Sequence, residues 1–223
     1  MNAIAIKNLS FFYQDGENKR YILDNISCEF EKGTFYTIVG HSGSGKTTLL
    51  SLLAGLDNIQ QGSIYIDGVN CQELAEEYYR SSKVGIVFQS YNLIKYLSGI
   101  ENVLVAMEIS QNRIPKDKKQ VAYNLLSFLG LNKDKANRLV NQLSGGEQQR
   151  IAIARALAMN VDYILADEPT GNLDETAEQE LVKIFQKLAH EHNKCVIVVT
   201  HSPEVAKTSD VCLKLKRGRL SYE

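Results

Sequence analysis

Residues Gly40–Thr48 read GHSGSGKTT, in which Gly40, Gly45, Lys46 and Thr47 fill the spacing G-x-x-x-x-G-K-[ST]. That spacing suits one task, holding a polyphosphate. Glycines keep side chains off the loop, so the backbone N–H groups of His41, Ser42, Gly43, Ser44 and Gly45 can turn inward to phosphate oxygens. A helix starting near Lys46 adds its positive dipole end. Lys46 can reach the β- and γ-phosphates, and the Thr47 hydroxyl can hold Mg²⁺. The β-branched run Thr34–Val39 precedes the loop and a helix-forming run from Thr48 to Ala54 follows it. This strand–turn–helix context is what separates a phosphate site from an ordinary glycine-rich turn.

Two further stretches could serve a triphosphate. Tyr163–Ala166 is an apolar strand ending in Asp167 and Glu168. Ligands of open α/β sheets bind beyond the carboxyl ends of the strands. Asp167 is therefore expected to face the metal held by Thr47. Glu168, one residue on, is placed to polarise an attacking water as general base. The other stretch is Leu143-Ser144-Gly145-Gly146-Glu147, which opens a helix running to Met159. Ser144 is a good N-cap, and the glycines expose N–H groups at a positive helix end. Alone this is a capped helix; beside an assigned phosphate loop it reads as a second anion site.

The elements that must position these residues alternate between strand and helix periodicity. Strands are expected at Ala3–Tyr13, Ile22–Phe30 and Phe35–Val39, with Gln14–Arg20 as a polar turn. Together these suggest an antiparallel flap leading into the loop. Gly62–Ile66, Val84–Phe88, Cys195–Val199 and Val211–Lys216 read as further strands. Helices are expected at Glu73–Ser82, Ile100–Ile109, Lys116–Leu129, Gly145–Met159, Asp174–His192 and Pro203–Lys207. Val121, Leu125, Leu126 and Leu129 form one stripe, with Pro115 in the first turn of that helix and Gly130 at its end. The fold class that follows is α/β: a P-loop NTPase core with a mainly parallel sheet, an N-terminal antiparallel β subdomain and an inserted α-helical subdomain. Residues 1–92 and 160–223 are assigned to the core with its flap, and about 93–159 to the helical subdomain.

Bulk composition removes several classes. With 223 residues the chain can bury a core, and its formal net charge is −1. Lysines and arginines are dispersed apart from short clusters, so no nucleic-acid partner is expected. Cys28, Cys71, Cys195 and Cys212 lie far apart, with no zinc spacing. Buried free thiols in a reducing compartment are the expectation. The N-terminal stretch does not read as a signal peptide, and the longest apolar runs are far too short for a bilayer. Any membrane role is expected to come through a separate chain.

LSGGEQQR, Leu143–Arg150, resembles the signature motif of the ATP-binding subunits of ABC transporters. It lies between the phosphate loop and ADEPTGNLD, Ala166–Asp174, as in that family. With VGIVFQSYNLI (Val84–Ile94) and IENV (Ile100–Val103), the chain is most similar to the ATPases of lipoprotein-release, macrolide-export and antimicrobial-peptide-resistance systems. The resemblance implies ATP and Mg²⁺ as ligands and roles at matching positions. Tyr13 would stack on adenine. Gln89 would touch Mg²⁺ and the attacking water, and His201 the γ-phosphate. Asp174 would sit at a dimer interface, besides capping the following helix. His41 occupies a variable loop position, and Ser202 stands where an aspartate often follows the histidine. The resemblance further implies that Ser144–Glu147 act on the ATP of a second copy. It also implies an integral-membrane permease partner, an extracytoplasmic adaptor as a further partner of an export system, and a place on the cytoplasmic face of the membrane. A regulatory module of the cell-division type is the alternative. A P-loop kinase has no use for LSGGE. A DNA-repair or translation ATPase would carry a long coiled coil or a second ATPase domain.

Overall fold

A computed structural model describes residues 4–16 and 18–223. Ala3, expected to open the first strand, lies outside the described residues. The structure holds two sheets. The first is antiparallel and joins β1 (Ile4–Asp15), β2 (Asn18–Phe30), β4 (Gln61–Ile66) and β5 (Val69–Asn70) in the order β2-β1-β4-β5. The second joins β3 (Phe35–Val39), β6 (Val84–Val87), β7 (Tyr163–Asp167), β8 (Cys195–Thr200), β9 (Val211–Lys216) and β10 (Arg219–Tyr222). Its order is β10-β9-β3-β8-β7-β6, and every pairing but β9 with β10 is parallel.

Two expectations change here. Gln14–Arg20 is not one polar turn. Tyr13 pairs with Arg20, Gln14 with Lys19 and Asp15 with Asn18, so the strands run almost to the tip. Polar residues sustain this because the hairpin end is solvent-exposed and the Lys19 ammonium sits 4.2 Å from the centroid of the Phe12 ring. The second change concerns β3, which does not belong to the antiparallel flap. It is the strand between β8 and β9, and Phe35, Tyr36 and Ile38 are buried there. A strand covered on both faces reads as continuous apolar sequence, which is what Phe35–Val39 offers.

The helices are α1 (Lys46–Leu53), α2 (Glu76–Ser82), α3 (Gly99–Ile109), α4 (Lys118–Phe128), α5 (Lys133–Ala136), α6 (Gly145–Ala158), α7 (Glu175–His190) and α8 (Pro203–Lys207). The second helix starts later than expected, since Ala75 is extended and a short 3₁₀ turn covers Cys71–Glu73. The fourth starts at Lys118 rather than around Pro115, because the Asp117 carboxylate accepts the Gln120 N–H at 3.0 Å and sets the N-terminus there. Asp174 likewise caps α7 by accepting the Ala177 N–H at 2.8 Å.

Period-two alternation divides the buried side chains between two cores. Tyr163 and Leu165 of β7, with Cys195, Ile197 and Val199 of β8, pack with α1 and the flap. Ile164, Ala166, Val196 and Val198 face the opposite way, into a core with α3, α4, α6 and α7. Burying each such aliphatic side chain contributes ~1.5–3 kcal/mol. The same parity decides the site: Asp167, two residues beyond Leu165, falls on the side of α1.

The opposite end of the sheet is tied by charge. Asp162 accepts from Lys32 at 2.7 Å and Lys194 at 3.0 Å. Asp67, in the β4–β5 turn, accepts from Lys83 at 3.1 Å and from the Tyr163 hydroxyl, with Lys32 at 3.5 Å. Burial pushes the Asp67 carboxyl up, but the Tyr163 hydroxyl and the two lysines outweigh it and hold it below its ordinary value. Asp162 is held low in the same way by Lys32 and Lys194. Depressed carboxylates stabilise the fold above their unfolded value of about 3.9 and lose that contribution as pH falls through the folded value. The thermal unfolding midpoint is therefore expected to drop between about pH 5 and pH 2. Asp67→Asn should lower the midpoint at neutral pH and flatten that drop, as calorimetry across the range will read.

Candidate nucleotide-binding site

The phosphate loop joins β3 to α1 and is shaped by two glycines. A Cβ on Gly40 would lie 2.5 Å from the Leu215 carbonyl oxygen and 2.6 Å from Ser44 Oγ, so no side chain fits. Gly45 has φ +101° and would press a Cβ against Ile22. Only glycine takes both the conformation and the space. Lys46 is 7% exposed, and its ammonium donates to the Gly40 carbonyl at 2.8 Å and lies 3.4 Å from that of His41. The lysine is thus folded back over the mouth of its own loop. Ser44 Oγ is buried without a hydrogen-bond partner. A buried hydroxyl left unpaired costs free energy, and an anion seated in the loop offers it an acceptor.

Parity delivers Asp167 to α1, where the Thr47 hydroxyl donates to its carboxylate at 3.3 Å. Burial pushes the Asp167 carboxyl up and the adjacent Glu168 charge adds to this, while the Thr47 hydroxyl and the Lys46 ammonium oppose it. These are hard oxygen donors of the kind Mg²⁺ prefers. Among the described residues no group of three or more His, Cys, Asp or Glu side chains could hold a metal by itself.

Glu168 leaves the strand with φ 44°, a left-handed conformation rare for a non-glycine residue. The turn is held by its N–H, which donates to Val199 at 2.9 Å. It swings the side chain away from the strand's alternation and into the cleft. There one carboxylate oxygen lies 3.6 Å from Lys46 Nζ. The other accepts the His201 N–H at 3.1 Å and lies 2.8 Å from His201 Nδ1. Strain of this kind clusters at functional sites, where surrounding structure holds it.

A cleft of about 610 Å³ gathers Tyr13, Ile22, Ser42–Thr48, Gln89, Glu168 and His201. Tyr13 is 57% exposed, edge-on to the buried Phe11, so of the three successive aromatics Tyr13 is the one that reaches the cleft. Gly40 and His41 line the neighbouring cavity, behind the loop. Ser144, Gly146 and Glu147 line a third cavity with residues of α4 and α7. One copy of the chain does not bring them into the Lys46 cleft. Ser144 caps α6 by accepting the Glu147 N–H at 3.3 Å, while Glu147 accepts the Ser144 N–H at 2.9 Å. Sequence reasoning missed Ile22, which lines the same cleft as Tyr13. No local signal marks it, since Tyr21, Leu23, Phe11 and Phe12 of the same hairpin are apolar or aromatic too.

Known proteins resemble this chain over nearly its whole length. A family model described as ABC transporter matches residues 23–171. The uncharacterized ABC transporter ATP-binding protein YclH of Bacillus subtilis is 44% identical over 223 residues, covering 100% of this chain and 97% of its own length. The macrolide export ATP-binding/permease protein MacB of Mannheimia succiniciproducens is 40% identical; the match covers 99% of this chain and 34% of MacB. Among solved structures, the dimeric post-hydrolysis state of the ATP-binding cassette MJ0796 of Methanocaldococcus jannaschii, bound to ADP and Pi, superposes with a TM-score of 0.89. It is 37% identical, with 99% of this chain and 97% of that one covered.

Proposed function

Since this chain belongs to the ABC transporter family as an ATP-hydrolysing subunit, we propose that two copies clamp two ATP molecules and drive a membrane permease that exports or extracts its substrate. The observation that carries this reading is the convergence of Lys46, Thr47, Glu168 and His201 on one cleft, with Asp167 hydrogen-bonded to Thr47, while the Ser144–Gly146 helix end faces elsewhere. An anion-ready helix end without a ligand in its own chain is matched by a triphosphate cleft with one open side. MJ0796 is dimeric in its solved structure, and MacB joins an ATP-binding part and a permease by name, which supports both partners.

In this reading Tyr13 stacks on the base, residues Gly40–Thr48 wrap the phosphates, and Lys46 turns from its own loop carbonyls to the β- and γ-phosphates. Thr47, Asp167 and Gln89 hold Mg²⁺, which when bound neutralises charge on the phosphate oxygens. Glu168 takes a proton from the attacking water as the water oxygen bonds to the γ-phosphorus and the bond to ADP breaks. His201 holds Glu168 in the free chain and is placed to contact the γ-phosphate once it arrives. Ser144–Gly146 of the second copy close the open side, and Asp174 lies in the loop that reaches across. Loss of the γ-phosphate removes what both copies hold, so the clamp opens.

The permease is assigned to a groove of about 360 Å³ between β6 and α3, lined by Phe88, Ile94, Val105 and Ile109. Val105 and Ile109 are exposed at 38% and 62%. No helix among the described residues is long and apolar enough to cross a membrane; the joining of an ATP-binding part to a permease in MacB's name supports a membrane part as the partner, with this chain on its cytoplasmic face. The helical subdomain, about residues 93–159, is the part that moves this partner. Ile109→Glu is expected to abolish co-purification with the membrane permease, and with it permease-dependent stimulation of ATP turnover. Unchanged co-purification would place the partner elsewhere.

A further inference from the structure

The helix end offered to a second copy carries a charge of the wrong sign for its task. Ser144–Gly146 are read as donors to a triphosphate, yet Glu147 follows them in the first turn of α6. Its carboxylate is fixed there. One oxygen accepts the Ser144 N–H at 2.9 Å, while the Glu147 N–H donates to Ser144 Oγ at 3.3 Å. The other oxygen lies 2.7 Å from Lys135 Nζ. The Lys135 ammonium and the Ser144 N–H hold the Glu147 carboxyl below its ordinary value, so it is ionised at neutral pH. An anion at this place stabilises the start of a helix, and it also repels an incoming phosphate.

Lys135 is brought to this point by fixed backbone. The Asn132 side chain caps α5 by accepting the Lys135 N–H at 2.9 Å. Ala136, next in sequence, is fully buried, and beyond α5 the Arg138 carbonyl accepts the Gly99 N–H at 3.1 Å. The Arg150 guanidinium lines the same cavity but is engaged by the Leu129 carbonyl at 2.8 Å and by the Glu180 carboxylate. Lys183 and Lys187 line it from α7, and of these cations Lys135 is the one in contact with Glu147.

We propose that Lys135 is a positioning residue that acts through Glu147: it neutralises the capping carboxylate, so that α6 keeps its cap and still accepts the phosphate of a second copy. The proposal rests on the clamp reading above. The cap and the phosphate make opposite demands on one helical turn. With Lys135 in place the Lys135–Glu147 pair carries no net charge, and the helix dipole with the N–H groups of Gly145 and Gly146 decides the attraction. Without it a full negative charge stands beside the arriving triphosphate, once in each of the two sites of a dimer. The two side chains are 42% and 21% exposed, so solvent weakens the effect and added salt should erase it.

The test measures dimerisation of the Glu168→Gln chain with Mg²⁺-ATP, and its first arm is that parent. A parent that never pairs overturns the clamp reading and the proposal together. Where the parent pairs, Lys135→Met should weaken the dimerisation constant by about tenfold at low ionic strength, about threefold for each site. ATP affinity of the dilute monomer should stay within about twofold, because Lys135 lines the cavity beside α6 and not the Lys46 cleft. The thermal unfolding midpoint should move by less than about 4 °C, as for a partly exposed ion pair. At about 0.5 M salt the loss in dimerisation should shrink to within about twofold. Lys135→Arg keeps a cation and should pair as the parent does. The deciding arm is the double-mutant cycle: with Glu147→Gln present, Lys135→Met should change dimerisation by less than about twofold, since no charge remains to be matched. A loss of about tenfold that persists with Glu147→Gln, or that ignores salt, overturns the action through Glu147. Pairing of Lys135→Met as tight as the parent at low salt also overturns it, and leaves the clamp reading standing.

Discussion

Glu168→Gln lowers ATP turnover by about 100- to 10,000-fold, the range for removing a positioned general base, and leaves ATP binding intact. The split follows from where the carboxylate sits. Glu168 is held at the end of β7 by its left-handed backbone, with one oxygen toward Lys46 and the other toward His201. An amide has nearly the same shape and still accepts at one atom, so the turn and the cleft survive. What it lacks is a site that can take a proton from water. Phosphate release under saturating ATP reads the first effect, and equilibrium binding of ATP reads the second. Turnover within tenfold of the parent would assign the base to another residue. Equal losses in turnover and binding would make Glu168 a binding residue.

Lys46→Met acts in the opposite order and costs binding first. Lys46 is buried at the mouth of the loop, and its ammonium already occupies two carbonyls there. Methionine keeps the length of the stem and removes every donor. Each hydrogen bond from the ammonium to a phosphate is worth ~1.5–3 kcal/mol, so ATP affinity should fall by roughly one to two orders of magnitude per bond lost. The substitution also leaves the Glu168 carboxylate, 14% exposed, without its cation at 3.6 Å. Hydrolysis should therefore fall further than affinity explains. Titration calorimetry and saturating-substrate turnover separate the two. A variant that binds ATP within twofold of the parent would show that the loop amides alone hold the phosphates.

How much of this was legible in the sequence depends on the range of the interactions. The phosphate loop could be read because its spacing, glycines and flanking elements are local. The face of Asp167 could also be derived, since alternation along Tyr163–Asp167 fixes it once α1 is placed. The pairing of β3 with β8 and β9 was not legible. It joins residues more than 150 positions apart, and an apolar pentapeptide does not state which sheet it enters. The Gln14–Arg20 hairpin misled because polar residues suggest a turn, whereas two exposed strands are also polar. The left-handed turn at Glu168 had no local signal. It is imposed by a neighbour remote in sequence, Val199.

The separation of Ser144–Gly146 from the Lys46 cleft within one chain makes the whole account depend on pairing. The most direct measurement is the mass of Glu168→Gln in solution by sedimentation or light scattering, with ATP and Mg²⁺ raised over a wide range. A shift from one copy to two that requires ATP, and is prevented by Lys46→Met in the same chain, is the predicted result. A single copy at every ATP concentration, with the nucleotide demonstrably bound, would contradict it.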